Sequence, residues 1–163
     1  MPNTVFTNAR ILDGTGDSSF SGEVRVDGNR IRQISIDGSP LSHDDADVID
    51  CAGATLMPGL VEAHAHPSFG NTSTLEALGE VPIEEHTLMT MKHVKLLLDQ
   101  GFTSINSAAA AKARLDVVIR NAINAGDIPG PRMLAASPEL TPTSGLGYVN
   151  LRHMKRDSFA IVC

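Results

Sequence analysis

The sequence has 163 residues, which is long enough for one domain with a substantial apolar core. Its formal net charge is −6 and it contains no block of basic residues, so nucleic-acid binding is not expected. Five Phe, one Tyr and no Trp also argue against a surface on which bases would stack.

The cysteines and the apolar runs indicate the cellular compartment. Cys51 and Cys163 are isolated and form no Cys-x-x-Cys motif, which is typical of proteins in a reducing environment. Residues 1–10 lack the basic start and apolar core of a signal peptide. No run approaches the roughly 18 apolar residues that a membrane span needs. We therefore expect a soluble cytoplasmic protein that does not bind membranes.

The first part of the chain predicts a small antiparallel sheet. Residues 4–12 form one predicted strand, and two alternating runs on either side of a turn at residues 27–29 predict a hairpin. Residues 48–51 form a further short strand. His43 lies in an acidic loop and is expected to be solvated. We assign this first domain to residues 1–54.

The next segment ends in a pair of histidines. An apolar run at residues 54–57 continues through residues 58–66 and predicts one buried strand that ends at His64 and His66. Positions i and i+2 of a strand share a face, so the two imidazoles should point the same way. Such a pair suits a divalent metal, most of all Zn, with Co, Fe, Mn or Ni as alternatives. Pairs of histidines at this spacing also occur by chance, but this pair lies at the carboxyl end of a predicted strand, where α/β folds place their active-site residues.

Residues 55–67 resemble the first-strand signature of the metal-dependent amidohydrolase superfamily, because a Pro-Gly pair, an apolar strand and His-x-His occur together there. The resemblance implies an α/β fold in which a small antiparallel β-sandwich segment precedes a (β/α)8 TIM-type barrel. The part of the barrel present here would begin at residue 55 and run to residue 163. The resemblance also implies that His64 and His66 are metal ligands. Glu62, where the family usually has Asp, is a weaker candidate for a supporting carboxylate.

A loop-like segment at residues 68–82 is followed by the first long predicted helix, at residues 83–100. Its apolar residues recur at helical spacing, namely Leu88, Met91, Val94, Leu97 and Leu98. His86 and His93 are seven positions apart, or roughly 10 Å along a helix axis, so we expect surface histidines that do not share a metal. Phe69, in the loop, is expected either to contact substrate or to pack beneath the loop.

Strands and helices alternate in the remainder of the chain. Residues 102–107 and 132–137 predict strands, with a helix at residues 112–125 between them. This repeat indicates a parallel sheet, which the resemblance implies is the first three strands of the barrel. Residues 121–132 resemble a branch that acts on dipeptides, N-acyl amino acids, ureas and thiocarbamates, as Xaa-Pro dipeptidases and imidazolonepropionase-like enzymes do. Leu146 stands where that branch often has a histidine.

The segment after the third predicted strand is basic. It contains Arg152, His153, Lys155 and Arg156, for which a solvated rim is the favoured interpretation. A clamp for a substrate carboxylate is the alternative, because Arg matches carboxylates with two parallel hydrogen bonds. Lys155 is not expected to bridge metals, because it follows the third-strand loop and does not lie on a fourth strand.

The resemblance implies hydrolysis of carbon–nitrogen bonds by metal-activated water, on a small amide, dipeptide, urea or carbamate substrate. A complete barrel needs roughly 250 residues. We therefore expect a truncated N-terminal part whose incomplete site holds two metal ligands, with the general base not assigned. Two alternatives remain open. One is a subunit of a split or homo-oligomeric hydrolase completed by another chain, and the other is a non-catalytic fragment or interaction module.

Overall fold

The secondary structure combines strands and helices, in agreement with the α/β prediction. It is described by a computed structural model for residues 2–36, 38–142 and 161–162. The chain separates into two units, one up to Pro58 and one from Gly59 onward. The boundary expected from the sequence, after residue 54, lies slightly earlier.

The first unit is a five-stranded sheet in the order β3-β2-β1-β4, with β5 also paired to β1. Its strands are β1 (Asn3–Ile11), β2 (Phe20–Asp27), β3 (Arg30–Ile34), β4 (Ala46–Asp50) and β5 (Thr55–Leu56). The hairpin between β2 and β3 is confirmed, with Asp27 opposite Arg30 across the turn. Ala9, Ile11 and Val24 form the centre of the apolar core of this sheet.

The prediction of a wholly antiparallel sheet is wrong for two strands. Both β4 and β5 run parallel to β1, with β4 paired to residues 3–7 of β1 and β5 continuing in the same direction to pair with residues 10–11. The alternating sequence pattern of a strand is the same in either direction, so the pattern alone could not distinguish the two cases.

The prediction of a single buried strand from residue 54 to the histidines is also wrong. Thr55 and Leu56 pair with β1 in the first sheet, whereas Leu60–Ala65 form β6 of a second sheet. Pro58 lies between the two and lacks the N–H that a strand ladder needs. A Cβ added to Gly59 would lie 2.1 Å from Oγ1 of Thr103, so the backbone there passes too close to its neighbour for any side chain.

The second unit contains the predicted parallel sheet, in the order β6-β7-β8, with β7 at Phe102–Ser107 and β8 at Arg132–Ala135. Both pairs of neighbouring strands are parallel. Helices α2 (Ile83–Asp99) and α3 (Leu115–Ala125) connect them. The buried core between sheet and helices consists of Ala65, Val94, Ile105, Ile119 and Met133. Two-residue strands at Leu140–Thr141 and Ile161–Val162 pair in parallel as β9 and β10.

The helices differ from the predictions mainly at their ends. The segment predicted as loop contains α1 (Leu75–Glu80), which begins after Thr74, whose hydroxyl accepts a hydrogen bond from the Ala77 amide at 3.3 Å. Helix α3 begins later than predicted, because Arg114 has a left-handed backbone conformation with φ of 61°. Within the described ranges, no helix is long and apolar enough to cross a membrane.

Candidate metal site

The two predicted site histidines lie together at the carboxyl end of β6. The Nε2 atoms of His64 and His66 are 3.1 Å apart, and the ring centroids are 4.9 Å apart at an interplanar angle of 74°. Ala65, between them, points to the opposite face and is part of the buried core. The expectation that the two imidazoles share one face of the strand is therefore confirmed.

The ring of His66 is oriented by its surroundings. Its Nδ1 lies 3.4 Å from the carbonyl oxygen of Ala109, in the segment that follows β7. A carbonyl only accepts hydrogen bonds, so Nδ1 carries a proton, and in the neutral ring the lone pair is then on Nε2. Phe69 stacks on the same ring, with centroids 4.3 Å apart and planes inclined by 23°. The structure thus shows Phe69 packed against His66, and a contact between Phe69 and substrate stays a prediction.

The separation of the two Nε2 atoms suits a shared metal ion. Two imidazole nitrogens at 2.0–2.1 Å from a tetrahedral zinc ion would be about 3.3 Å apart. The observed 3.1 Å is close to that value. The described residues contain no group of three or more His, Cys, Asp or Glu side chains that could hold a metal ion. The donor set on this part of the chain therefore fits two ligands of a metal centre.

Glu62 supports the same strand end through the main chain. Its Oε1 accepts a hydrogen bond of 2.9 Å from the backbone amide of His64. Glu62, His64, His66 and His93 line one cleft. The carboxylate thus contacts the backbone of a candidate ligand and contributes negative charge to the cleft.

The prediction that His86 and His93 are surface residues is wrong. His86 is fully buried, and its Nε2 contacts the carbonyl oxygen of Ser68 at 2.5 Å. His93 is half-buried, and its Nδ1 contacts the carbonyl oxygen of Pro67 at 2.9 Å. Both partners belong to the residues that directly follow His66.

A signal for this burial was present in the helix sequence. The fully buried residues of α2 are His86, Thr90 and Val94, which are spaced four apart and so share one face. Val94 belonged to the predicted apolar stripe, whereas Leu88 from the same stripe is 59% exposed. Two of the three buried residues on this face, His86 and Thr90, are polar, so apolar spacing alone does not identify it.

Burial changes the acid–base behaviour of His86. Desolvation lowers the pKa of its imidazole below the usual 6.5, and the nearby charges of Lys112 and His93 lower it further. The hydrogen bond to the Ser68 carbonyl acts in the opposite direction. The net lowering favours the neutral form of this side chain.

Several residues singled out in the sequence lie outside the described residues. They are Leu146 and the basic set Arg152, His153, Lys155 and Arg156.

Comparison with known proteins gives matches in both sequence and structure, although no family model matches. The dihydroorotase of Syntrophotalea carbinolica (strain DSM 2380 / NBRC 103641 / GraBd1) is 33% identical over 76 residues, which cover 45% of this chain and 17% of that protein. The dihydroorotase of Wolbachia sp. subsp. Drosophila simulans (strain wRi) is 37% identical over 62 residues, which cover 37% of this chain and 14% of that protein.

The solved structures match over nearly the whole chain. A prolidase complexed with N-methylphosphonate-L-proline has a TM-score of 0.80 and 25% identity, covering 99% of this chain and 37% of the prolidase. A Xaa-Pro dipeptidase with bound methionine has a TM-score of 0.79 and 26% identity, and the match covers 97% of this chain and 38% of the dipeptidase. The matched part of the chain therefore covers only 17% and 14% of the two dihydroorotases and just over a third of these two solved structures. These relatives are hydrolytic enzymes.

Proposed function

This chain resembles the amidohydrolases in both sequence and fold, and we propose on that basis that it carries two metal ligands of a hydrolase of carbon–nitrogen bonds. The ligands are His64 and His66. The observation that carries the proposal is the 3.1 Å separation of their Nε2 atoms at the carboxyl end of a parallel strand. Active sites of (β/α)8 barrels are built at that end of the strands.

In this proposal, strands β6, β7 and β8 are the first three strands of a (β/α)8 barrel. The sheet of the first unit is part of a small β-sandwich. Support comes from the order β6-β7-β8 with parallel pairing and from the similarity to prolidase and dipeptidase structures. The loops after each strand then form the rim of the site, which explains why Phe69 and Ala109 lie beside the histidines.

The cofactor is a divalent metal, with zinc favoured and Co, Fe, Mn or Ni as alternatives. When bound, such a metal lowers the pKa of its water ligand to about 7 and polarises a carbonyl group. The residues of this chain have separate tasks. His64 and His66 would hold the metal through Nε2, the Ala109 carbonyl accepts from Nδ1 of His66, and Glu62 fixes the backbone of His64.

The remaining ligands and the general base come from outside the described residues. A catalytic zinc site usually has three protein ligands and one water, and the described part of this chain supplies two. They would be supplied either by further strands of the same protein or by a second chain. The names of the relatives, dipeptidase, prolidase and dihydroorotase, favour a small substrate with an amide-type bond.

A second candidate function follows from the same count of ligands. If no partner completes the site, the chain is a non-catalytic fragment or an interaction module. The two candidates differ in one measurable property, because only a completed centre retains a transition metal through purification.

The test is the metal content of the 163-residue chain after gel filtration, measured by elemental mass spectrometry. If a second copy of the chain completes the site, we expect near-stoichiometric transition metal that is lost in the double variant His64→Ala, His66→Ala. The variant His43→Ala is the matched control, because His43 lies in the other unit and pairs with Glu23. The elution volume shows whether a second copy takes part. A folded chain without metal would overturn the proposal for this chain by itself and favour the second candidate.

A further inference from the structure

Two histidines of α2 contact the main chain immediately after the candidate metal ligands. His93 lies 2.9 Å from the carbonyl oxygen of Pro67, and His86 lies 2.5 Å from that of Ser68. The two carbonyls belong to consecutive residues, and the first of these residues follows His66 directly. Two side chains from one helix therefore hold the chain where it leaves the histidine pair.

The contacts require opposite tautomers. Each carbonyl only accepts, so the imidazole nitrogen that faces it carries the hydrogen. His93 must therefore hold its proton on Nδ1, whereas His86 must hold its proton on Nε2. These are two different donor positions, and each can be imitated by a different amide side chain.

If residue 86 served only to fill the core, histidine would be an unfavourable side chain at this position. Nδ1 of His86 is buried and has no hydrogen-bond partner among the described residues. A leucine would fill the same buried face, between the helix and the segment after β6, without an unpaired ring nitrogen. The imidazole thus contributes something that an apolar side chain could not, and the group it contacts is the Ser68 carbonyl.

The held segment is also fixed from its other side. The hydroxyl of the buried Ser68 accepts a hydrogen bond of 2.8 Å from the Ala111 amide, in the segment after β7. The Phe69 amide donates to the carbonyl of His66 at 3.0 Å. Residues 67–69 therefore lie between helix α2 and the loop that also orients the ring of His66.

We propose that His86 and His93 are positioning residues of the metal site, which fix the path of the chain after His66 and so hold the two Nε2 atoms at metal-binding separation. The inference rests on the proposed function, because it needs His64 and His66 to be metal ligands. Each positioning residue acts through a main-chain carbonyl.

The test compares variants that keep the hydrogen-bond donor with variants that delete it. Gln places an amide N–H near the Nε2 position and Asn places one near the Nδ1 position, so His86→Gln and His93→Asn are the conservative variants. His86→Leu and His93→Leu delete the donors. The affinity of each 163-residue variant for Co²⁺ is measured by titration of the visible absorption of the bound ion.

We expect the two Leu variants to bind Co²⁺ about 10- to 100-fold more weakly than the parent chain, as for other residues that support metal ligands. The His86→Gln and His93→Asn variants should bind within about threefold of the parent, because the donors are retained. In the exchanged variants, His86→Asn and His93→Gln, the amide N–H lies at the position of the other ring nitrogen and does not meet the carbonyl. These variants should therefore bind Co²⁺ as weakly as the Leu variants. Parent-like affinity in both Leu variants, with folding confirmed by circular dichroism, would overturn the positioning role.

A second measurement does not depend on metal. Long-range ¹H–¹⁵N spectra of the imidazoles in the metal-free chain should show the Nδ1–H tautomer for His93 and the Nε2–H tautomer for His86. The reverse tautomers would overturn the inference. If the parent chain shows the expected tautomers but binds no Co²⁺, the proposed metal site itself fails. If His86→Leu does not fold, the half-buried His93→Leu decides the question.

Discussion

At the scale of single residues, the main-chain carbonyls determine the chemistry of the histidines. Three imidazoles, those of His66, His86 and His93, face the carbonyls of Ala109, Ser68 and Pro67. Each contact assigns the proton to one ring nitrogen, because a carbonyl cannot donate. For His66 the consequence is a lone pair on Nε2, which is the form that binds a metal.

The lowered pKa of His86 predicts a pH dependence of stability. As the pH falls below about 6.5, His86 takes up a proton in the unfolded chain before it does so in the folded chain. The stabilising effect of the neutral form is therefore complete above that pH and is lost as the pH falls towards the folded-state pKa. We expect urea denaturation of the metal-free chain to show a steeper decline from about pH 7 to pH 5 in the parent than in His86→Gln. Identical slopes in the two proteins would contradict the burial of a neutral His86.

Gly22 provides a second prediction at this scale. A Cβ added there would lie 2.2 Å from the carbonyl oxygen of Ser35, which is main chain and cannot move aside easily. We expect Gly22→Ala to lower the free energy of unfolding by about 1–3 kcal/mol, as overpacking does. The neighbouring Ser21 is exposed, so Ser21→Ala is the matched control and should change stability little. Equal effects of the two changes in denaturant titrations would show that β2 does not approach residue 35 in this way.

At the scale of secondary-structure elements, Asp116 joins helix α3 to the end of β8. Its side chain is buried, with Oδ2 accepting from the Ser137 amide at 2.8 Å and Oδ1 accepting from the Val117 amide at 2.8 Å. Ser137 in turn accepts hydrogen bonds from the Ala110 and Arg114 amides. The carboxyl ends of β7 and β8 are thus connected through the start of α3.

We predict that Asp116→Ala destabilises the chain by about 1–3 kcal/mol, because the half-buried Ser137 and Val117 amides lose their acceptor. Asp127, at the exposed end of the same helix, supplies the control Asp127→Ala, for which we expect little change. The measurement is chemical denaturation followed by circular dichroism. A stable Asp116→Ala chain would mean that the connection between α3 and β8 depends on packing alone.

At the scale of the whole molecule, the three parallel strands β6, β7 and β8 end at the same edge of their sheet. The segments that follow them are joined by hydrogen bonds, among them Ala108 amide to Ala65 carbonyl at 2.8 Å and Ala110 amide to Ser137 carbonyl at 2.9 Å. The candidate metal ligands stand on the first of these strands. A ligand bound at the histidine pair should therefore stabilise the second unit as a whole.

We predict that Zn²⁺ raises the thermal stability of the 163-residue chain and that EDTA reverses the effect. At a free zinc concentration of 100 times the dissociation constant, linkage gives about 2.7 kcal/mol. The double variant His64→Ala, His66→Ala should show no such increase. An equal increase in this variant would place the zinc elsewhere on the chain and argue against the pair as its ligands.

Much of the site and fold could be predicted from sequence, and the failures have a common cause. The proximity of His64 and His66, the β2–β3 hairpin and the parallel β-α repeat were predicted correctly, because each depends on residues close together in the chain. Three features were not predicted correctly, namely the environment of His86, the sheet to which Thr55 belongs and the direction of β4. Each of these depends on a strand or helix that is distant in sequence.

The sequence by itself therefore determined that two imidazoles share one strand face, since side chains alternate along any strand whatever surrounds it. It also determined the order of strands and helices in the second unit, through local hydrophobic periodicity and turn residues. Only the tertiary structure decided that His86 and His93 face the main chain after His66. Burial and hydrogen-bond partners arise when distant segments pack together, and no local pattern encodes which carbonyl a given imidazole will meet.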